Sequence, residues 1–201
     1  MAKGFDTPDN CGGQAQNIRN AGYDFVARYL SQSTWKRITA TEAVQLKGAG
    51  LGIVFVYEDA PTGADYFSYG RGQVDATRAA QQANALNAPS GTTIYFAVDY
   101  DASADDVTNA IIPYFQGAVS GMNSFVSAAG NPQYRIGVYG SGATCMALSD
   151  AGLAKQGWLA CAGAWRGHGS YTSWSISQGL PTTIVGMSAD PDVATGDYGA
   201  M

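Results

Sequence analysis

The chain has 201 residues, enough for one domain or two small ones, and 16 Asp and Glu outweigh 11 Lys and Arg. A net charge of −5 supplies no basic stripe for nucleic acid and no attraction to anionic membranes. Hydrophobic residues at 46% and charged residues at 13% exclude disorder, and no apolar run approaches the roughly 20 residues of a membrane helix.

Gly4-Phe5-Asp6 reads as a strand that begins at once, with no apolar signal-peptide core before it. Residues 12–21 carry a helical pattern, and Gly22 stands where that helix stops. A β-branched and aromatic run over 25–30 predicts the second strand. A helix over 41–49 follows, with Thr39 or Thr41 before Glu42 as its start and Gly50 at its end. Strand 52–57, helix 72–86 and strand 92–98 come next. Ser103 before Asp106 opens a helix over 105–128 that stops at Gly130, and strand 134–139 and helix 143–151 complete the alternation. The remaining strands, 157–165, 171–177 and 182–187, follow one another through short Gly-, Ser- and Pro-containing loops.

Strand, helix, strand over the first 150 residues implies a parallel sheet with right-handed crossovers. The apolar runs are continuous rather than alternating, as in strands covered on both faces. Eight strands in this length predict one domain over 1–201, an irregular (β/α)8 TIM-like barrel with helices missing in its last third. An open doubly wound sheet is the alternative. Cys11, Cys145 and Cys161 form no C-x-x-C pair and His168 is the only histidine, so no local spacing supports zinc. The cysteines read as small buried residues, with a Cys145–Cys161 bridge left open. No metal and no cofactor is expected.

In a parallel barrel, chemistry gathers at the C-terminal ends of the strands. Those ends carry Asp6, Glu58-Asp59, Asp99 with Asp101, and Asp190 with Asp192. Barrel closure would put Asp6 and Asp190 roughly 5 Å apart at the backbone, and strand alternation would turn Asp99 and Asp101 to one side. Carboxyls crowded in a partly apolar site cannot all ionise, so one keeps a raised pKa. A protonated acid beside ionised ones is what glycosidic cleavage requires. Aromatic residues that suit sugar faces stand near the same ends: Tyr57, Tyr66, Phe67, Tyr69, Tyr100, Tyr139, Trp165, Tyr171 and Trp174. Acids at strand ends also serve as plain helix caps, and most of the aromatics fit core or rim packing.

Other chemistries fit less well. Asp99-Tyr100-Asp101 has the D-x-D form of a phosphatase nucleophile loop, but it lies mid-chain without a convincing partner lysine. As a calcium loop it lacks the glycine at Ala104 and the glutamate at Ala110. Gly140-Ser141-Gly142 opens like a dinucleotide fingerprint, yet Cys145 replaces the third glycine. There is no G-x-S-x-G elbow.

Five motifs occur in register: Gly4-Phe5-Asp6, the segment from Tyr95 through Asp101, Gly137-Val138-Tyr139-Gly140, Trp174-Ser175-Ile176-Ser177-Gln178, and Asp190-Pro191-Asp192-Val193-Ala194. Across essentially the whole chain they resemble the glycoside-hydrolase-like family called domain of unknown function 1906. That family is similar to the family 25 glycoside hydrolases, the muramidase-type lysozymes. The resemblance implies an acidic groove for the glycan strand of peptidoglycan. It places Asp6 on the first-strand aspartate, Asp99 on the first acid of a D-x-E pair, Asp190 on the last-strand aspartate and Gln178 on the penultimate-strand glutamine. Asp101 falls where those lysozymes carry the general-acid glutamate. Aspartate is one methylene shorter, and misplacement near 1 Å costs about a hundredfold in rate. Asp101 serves with a shifted backbone, Glu58 replaces it, or only glycan binding is kept.

The expectation is a peptidoglycan-directed glycoside hydrolase, acting as a monomer without nucleic-acid or membrane partners. Asp101 would donate the proton, Asp99 would stabilise or orient the reacting sugar, and Asp6 and Asp190 would tune that pair. Glu58, Tyr57, Tyr139, Trp165, Gln178 and Arg28 would contact substrate. Arg28 would pair with one of the acids or form a buried structural ion pair. The alternatives are an inactive glycan-binding module on the same fold and, behind it, the D-x-D phosphatase. Wall activity without a signal peptide would suggest phage lysis or another non-Sec release, or equally a leader already removed.

Overall fold

The computed structural model describes residues 1–201, with residue 129 described by its backbone alone. In chain order the elements are β1 (Ala2–Asp6), α1 (Ala15–Asn20), β2 (Phe25–Leu30), α2 (Ala40–Gly48), β3 (Gly52–Tyr57), α3 (Tyr69–Ala85) and β4 (Thr93–Ala97). A short α4 (Ala104–Asp106) runs through a π-helical stretch (Val107–Ile111) into α5 (Ile112–Ala129). Then come β5 (Arg135–Gly140), α6 (Gly142–Asp150), β6 (Gln156–Leu159), β7 (Ile176–Gln178), β8 (Thr182–Ile184) and β9 (Met187–Ala194).

The predicted helix starts hold. Thr39 Oγ1 accepts from the Glu42 N–H, and Ser103 and Asp106 form a reciprocal capping box. Gly130 ends α5 in the left-handed region at φ 61°. Helices α3 and α5 touch through glycine: a Cβ at Gly72 would overlap the Tyr114 carbonyl oxygen, and one at Gly117 that of Tyr69.

The sheet runs β1-β2-β3-β4-β5-β6-β7-β9 and closes through β1–β9 into an eight-stranded barrel, with β8 as an outer hairpin arm on β9. An open sheet is therefore excluded. Strands β1 to β7 are parallel neighbours, whereas β9 is antiparallel to both β7 and β1. This corrects the last third of the sequence reading. The run 157–165 keeps strand pairing only over β6, and 171–177 is loop until β7. The run 182–187 folds back on itself at Val185-Gly186 to make β8 and the start of β9. No helix follows α6 among the described residues, as expected.

Alternation along each strand sorts the two cores. Phe25, Ala27, Val54, Val56, Tyr95, Ala97, Trp158 and Ile176 pack together inside the barrel. Val26, Leu30, Ile53, Phe55, Ile94 and Phe96 face outward into the layer under the helices. The end below β1's start is closed by the last residues. The Tyr95 hydroxyl donates to the Tyr198 carbonyl at 2.9 Å, and Ile53 and Met201 exchange backbone hydrogen bonds. The opposite mouth is left for the strand-end side chains.

Candidate active site at the barrel mouth

A cavity of about 220 Å³ opens at that mouth, lined by Asp6, Tyr29, Val56, Glu58, Asp99, Tyr139, Trp158, Gln178 and Asp190. Every strand of the closed barrel supplies at least one of these residues, within the strand or just past its end. Residues 172 positions apart in the chain meet here: Gln178 Nε2 donates to Asp6 Oδ2 at 2.7 Å. The Tyr29 hydroxyl donates to Asp6 Oδ1 at 3.1 Å. On the other side of the amide, the Tyr139 hydroxyl and the Cys161 N–H donate to Gln178 Oε1 at 3.0 Å and 3.3 Å. Those two donors fix which end of the Gln178 amide faces Asp6.

Asp6 and Asp190 are direct cross-strand partners between β1 and β9, which brings their backbones to about 5 Å. Burial pushes the Asp6 carboxyl up from 3.8 to about 7; the Gln178 and Tyr29 hydrogen bonds oppose the rise, and the charges of Asp190 and Glu58 add to it. Two positions along β9, Asp192 is 1% exposed and accepts from Trp158 Nε1 at 3.0 Å, with its other oxygen unpartnered among the described residues. Burial and then the Asp6 charge push Asp192 well above the ordinary carboxylate range. Asp190 is also raised by burial. This column of acids cannot carry three full charges at neutral pH.

The opposite wall differs. Lys36, 6% exposed, places Nζ 2.6 Å from Glu58 Oε1 and 4.8 Å from the Tyr29 ring centroid. Burial raises Glu58, and Lys36 opposes that by hydrogen bond and charge. Asp99 is raised by burial, opposed only by the more distant Lys36 charge, and makes no side-chain hydrogen bond among the described residues. The cavity thus joins a lysine-paired acid, a half-buried acid without a partner and a column of acids raised by burial.

Four residues singled out in the sequence stand elsewhere. Asp101 does not line the cavity: its Oδ1 accepts from the Arg166 N–H at 2.8 Å, in the loop after β6. Strand β4 ends at Ala97, so alternation no longer ties the direction of Asp101 to that of Asp99. Arg28 faces outward from β2, 1% exposed, with Nε 2.6 Å from Glu42 Oε1 on α2. The structural ion pair is the reading that holds, and Arg28 contacts none of the cavity acids. Tyr57 also points outward, where Tyr57, Tyr66 and Tyr114 donate to the fully buried Asp75 at 3.2, 2.7 and 3.1 Å. Trp165 is half-buried in the loop after β6 and does not line the cavity. The three cysteines are free, so the Cys145–Cys161 bridge is not formed.

Sequence reasoning passed over Tyr29, Trp158 and Lys36 and gave Asp192 no role. Parity was the available signal for the first two: Tyr29 shares the inward face of β2 with Phe25 and Ala27. Nothing local marked Lys36, which lies in a turn.

The fold is that of a glycoside-hydrolase-like barrel. Residues 16–189 match the family described as Rv2525c-like, glycoside hydrolase-like domain, and the chain belongs to that family. YbfG of Bacillus subtilis (strain 168), an uncharacterized protein, is 40% identical over 154 aligned residues, with 73% of this chain and 21% of YbfG covered. The chain therefore spans about a fifth of that relative. The crystal structure of the Mycobacterium tuberculosis Tat-secreted protein Rv2525c with L-tartrate shares the fold at TM-score 0.80 and 24% identity, covering 100% of this chain and 98% of that one. Lysozymes and muramidases share it too. The bacterial lysozyme from Streptomyces coelicolor superposes at TM-score 0.61 and 13% identity over 97% of this chain and 92% of its own. The modular autolysin LytC from Streptococcus pneumoniae, solved with a synthetic peptidoglycan ligand, does so at TM-score 0.60 and 15% identity over 96% and 46%.

Proposed function

We propose that this chain is a peptidoglycan-directed glycoside hydrolase of the lysozyme type. The observation that carries the reading is the sharing of one cavity by Asp6, Glu58, Asp99 and Asp190, all raised by burial and only Glu58 paired with a lysine. Asp99, half-buried and without a side-chain partner among the described residues, is the group suited to hold a proton and pass it to the leaving glycosidic oxygen. Glu58, paired with Lys36 at 2.6 Å, stabilises positive charge on the sugar or orients the substrate's acetamido group. A water then adds its hydroxide to the anomeric carbon and returns a proton to Asp99. Asp6, beside Gln178, and Asp190 position the sugar, while Tyr139 and Trp158 offer aromatic walls. Asp101 gives up the proton-donor role expected of it, because its carboxylate is already engaged by Arg166.

That engagement also favours a second reading, a glycan-binding module without hydrolysis. The D-x-D phosphatase has less support, since Asp101 stands outside the cavity that holds Asp99. Purified peptidoglycan incubated with the wild type and with Asp99→Asn tests the proposal. Soluble reducing ends released by the wild type and lost in the variant are expected. Wild type that pellets with peptidoglycan but releases nothing overturns hydrolysis in favour of binding. Failure to pellet and to release overturns both.

A further inference from the structure

The loop over residues 31–39 leaves β2 at the cavity mouth, and its side chains divide between cavity and solvent. Lys36 turns inward to Glu58. Its neighbour Trp35 turns outward and is 73% exposed, more than any other aromatic residue among those described. No aromatic ring or cation packs on the indole among the described residues. Exposing so large an apolar surface on a loop free to fold over it would be unfavourable. This loop is pinned instead. The Ser31 hydroxyl and the Gln32 N–H donate to Asp59 Oδ1 at 2.7 and 2.8 Å, and the Ile38 N–H donates to the Tyr29 carbonyl at 3.0 Å.

The indole is thus presented by a preorganised loop, so little ordering entropy remains to oppose binding. One chain step, the length of the Lys36 side chain and its 2.6 Å contact put the Trp35 Cα within about 13 Å of the Glu58 carboxylate. The cavity, about 220 Å³, is smaller than the roughly 300–1,000 Å³ that encloses a drug-sized ligand. A chain of sugars seated there must continue over the rim. Around Trp35 the loop is polar, with Gln32 and Thr34 exposed, rather than part of the contiguous apolar patch a protein partner needs. An isolated ring amid hydrogen-bonding groups matches a sugar, which has an apolar face edged by hydroxyls.

We propose that Trp35 forms a carbohydrate-stacking subsite at the edge of the cavity, taking an N-acetylhexosamine of a glycan strand whose next units occupy the cavity. This rests on the glycan-directed reading above and adds the direction in which the strand leaves the site. The test is calorimetric titration of wild type, Trp35→Ala and Trp35→Phe with N-acetylglucosamine and with its β-1,4-linked oligomers. Trp35→Ala is expected to weaken oligomer binding about tenfold, with Phe restoring most of it and monomer affinity unchanged. Equal oligomer affinity in wild type and Trp35→Ala overturns the subsite and leaves the glycan reading intact. Equal loss for monomer and oligomer overturns it as well, since that reports damage to the cavity. A wild type that binds neither overturns the glycan reading, and the subsite with it.

Discussion

Asp6→Asn should flatten the pH dependence of stability by the share that Asp6 contributes, across the range where the wild type weakens. In the folded chain Asp6 keeps its proton up to about 7, whereas in the unfolded chain it loses it near 3.8. Between those values the native state binds more protons, so stability falls as pH rises through the window. Below it both states are protonated and the benefit is complete; above it a buried charge remains with the native state. The displacement corresponds to about 4 kcal/mol, an order of magnitude rather than a fine value. Asparagine removes the titration but keeps one acceptor for Gln178 and Tyr29, and its amide nitrogen confronts the other donor. That mismatch adds a pH-independent loss of about 1–3 kcal/mol, so the slope and not the offset is the readout. Coupling to Asp192 spreads the change over a wider range without reversing its sign. Urea unfolding of both proteins from about pH 4 to about pH 8 measures it. A stability difference constant to within about 1 kcal/mol over that range would refute the buried, proton-holding role of Asp6.

Glu42→Leu leaves Arg28 charged and unpaired in the outer core, and should cost about 3–5 kcal/mol, seen as a fall of roughly 6–20 °C in Tm. Arg28→Met combined with Glu42→Leu should recover most of that loss; a single variant as stable as wild type contradicts the buried pair. Lys36→Met removes the charge that lowers both Glu58 and Asp99, so the whole pH–rate profile for peptidoglycan cleavage should move to higher pH. A lower maximum with an unmoved profile would assign Lys36 a purely structural part. Asp101→Asn should retain cleavage within about tenfold, with rate measured on purified peptidoglycan, since the amide oxygen still accepts from Arg166. A loss of about 10²-fold or more, the lower range for a missing general acid, would return proton donation to Asp101.

The strand ends and the acids on them were legible because apolar runs and the polar residue that ends each one survive in any parallel barrel. Asp6, Glu58, Asp99 and Asp190 meet for that reason. Parity was available but went unused: Val54 and Val56 inward imply Tyr57 outward and Glu58 inward. The hairpin at Val185-Gly186 was hidden by its chemistry. Its residues stand at φ 49° and 80°, where Asn-Gly would be the readable pair and a β-branched valine is an outlier. Without that turn, β8 and β9 merged into one strand and the antiparallel closure could not be seen. Asp101 went astray past the end of β4, where loop hydrogen bonds rather than the pleat aim a side chain.

A crystal of the Asp99→Asn protein soaked with a β-1,4-linked N-acetylglucosamine oligomer tests the central claim most directly. One sugar ring is expected in the cavity with its glycosidic oxygen facing residue 99, its anomeric carbon toward Glu58 and the following rings running toward Trp35. Oligomer bound on another face of the barrel, with the acid-lined mouth left to solvent, would contradict it.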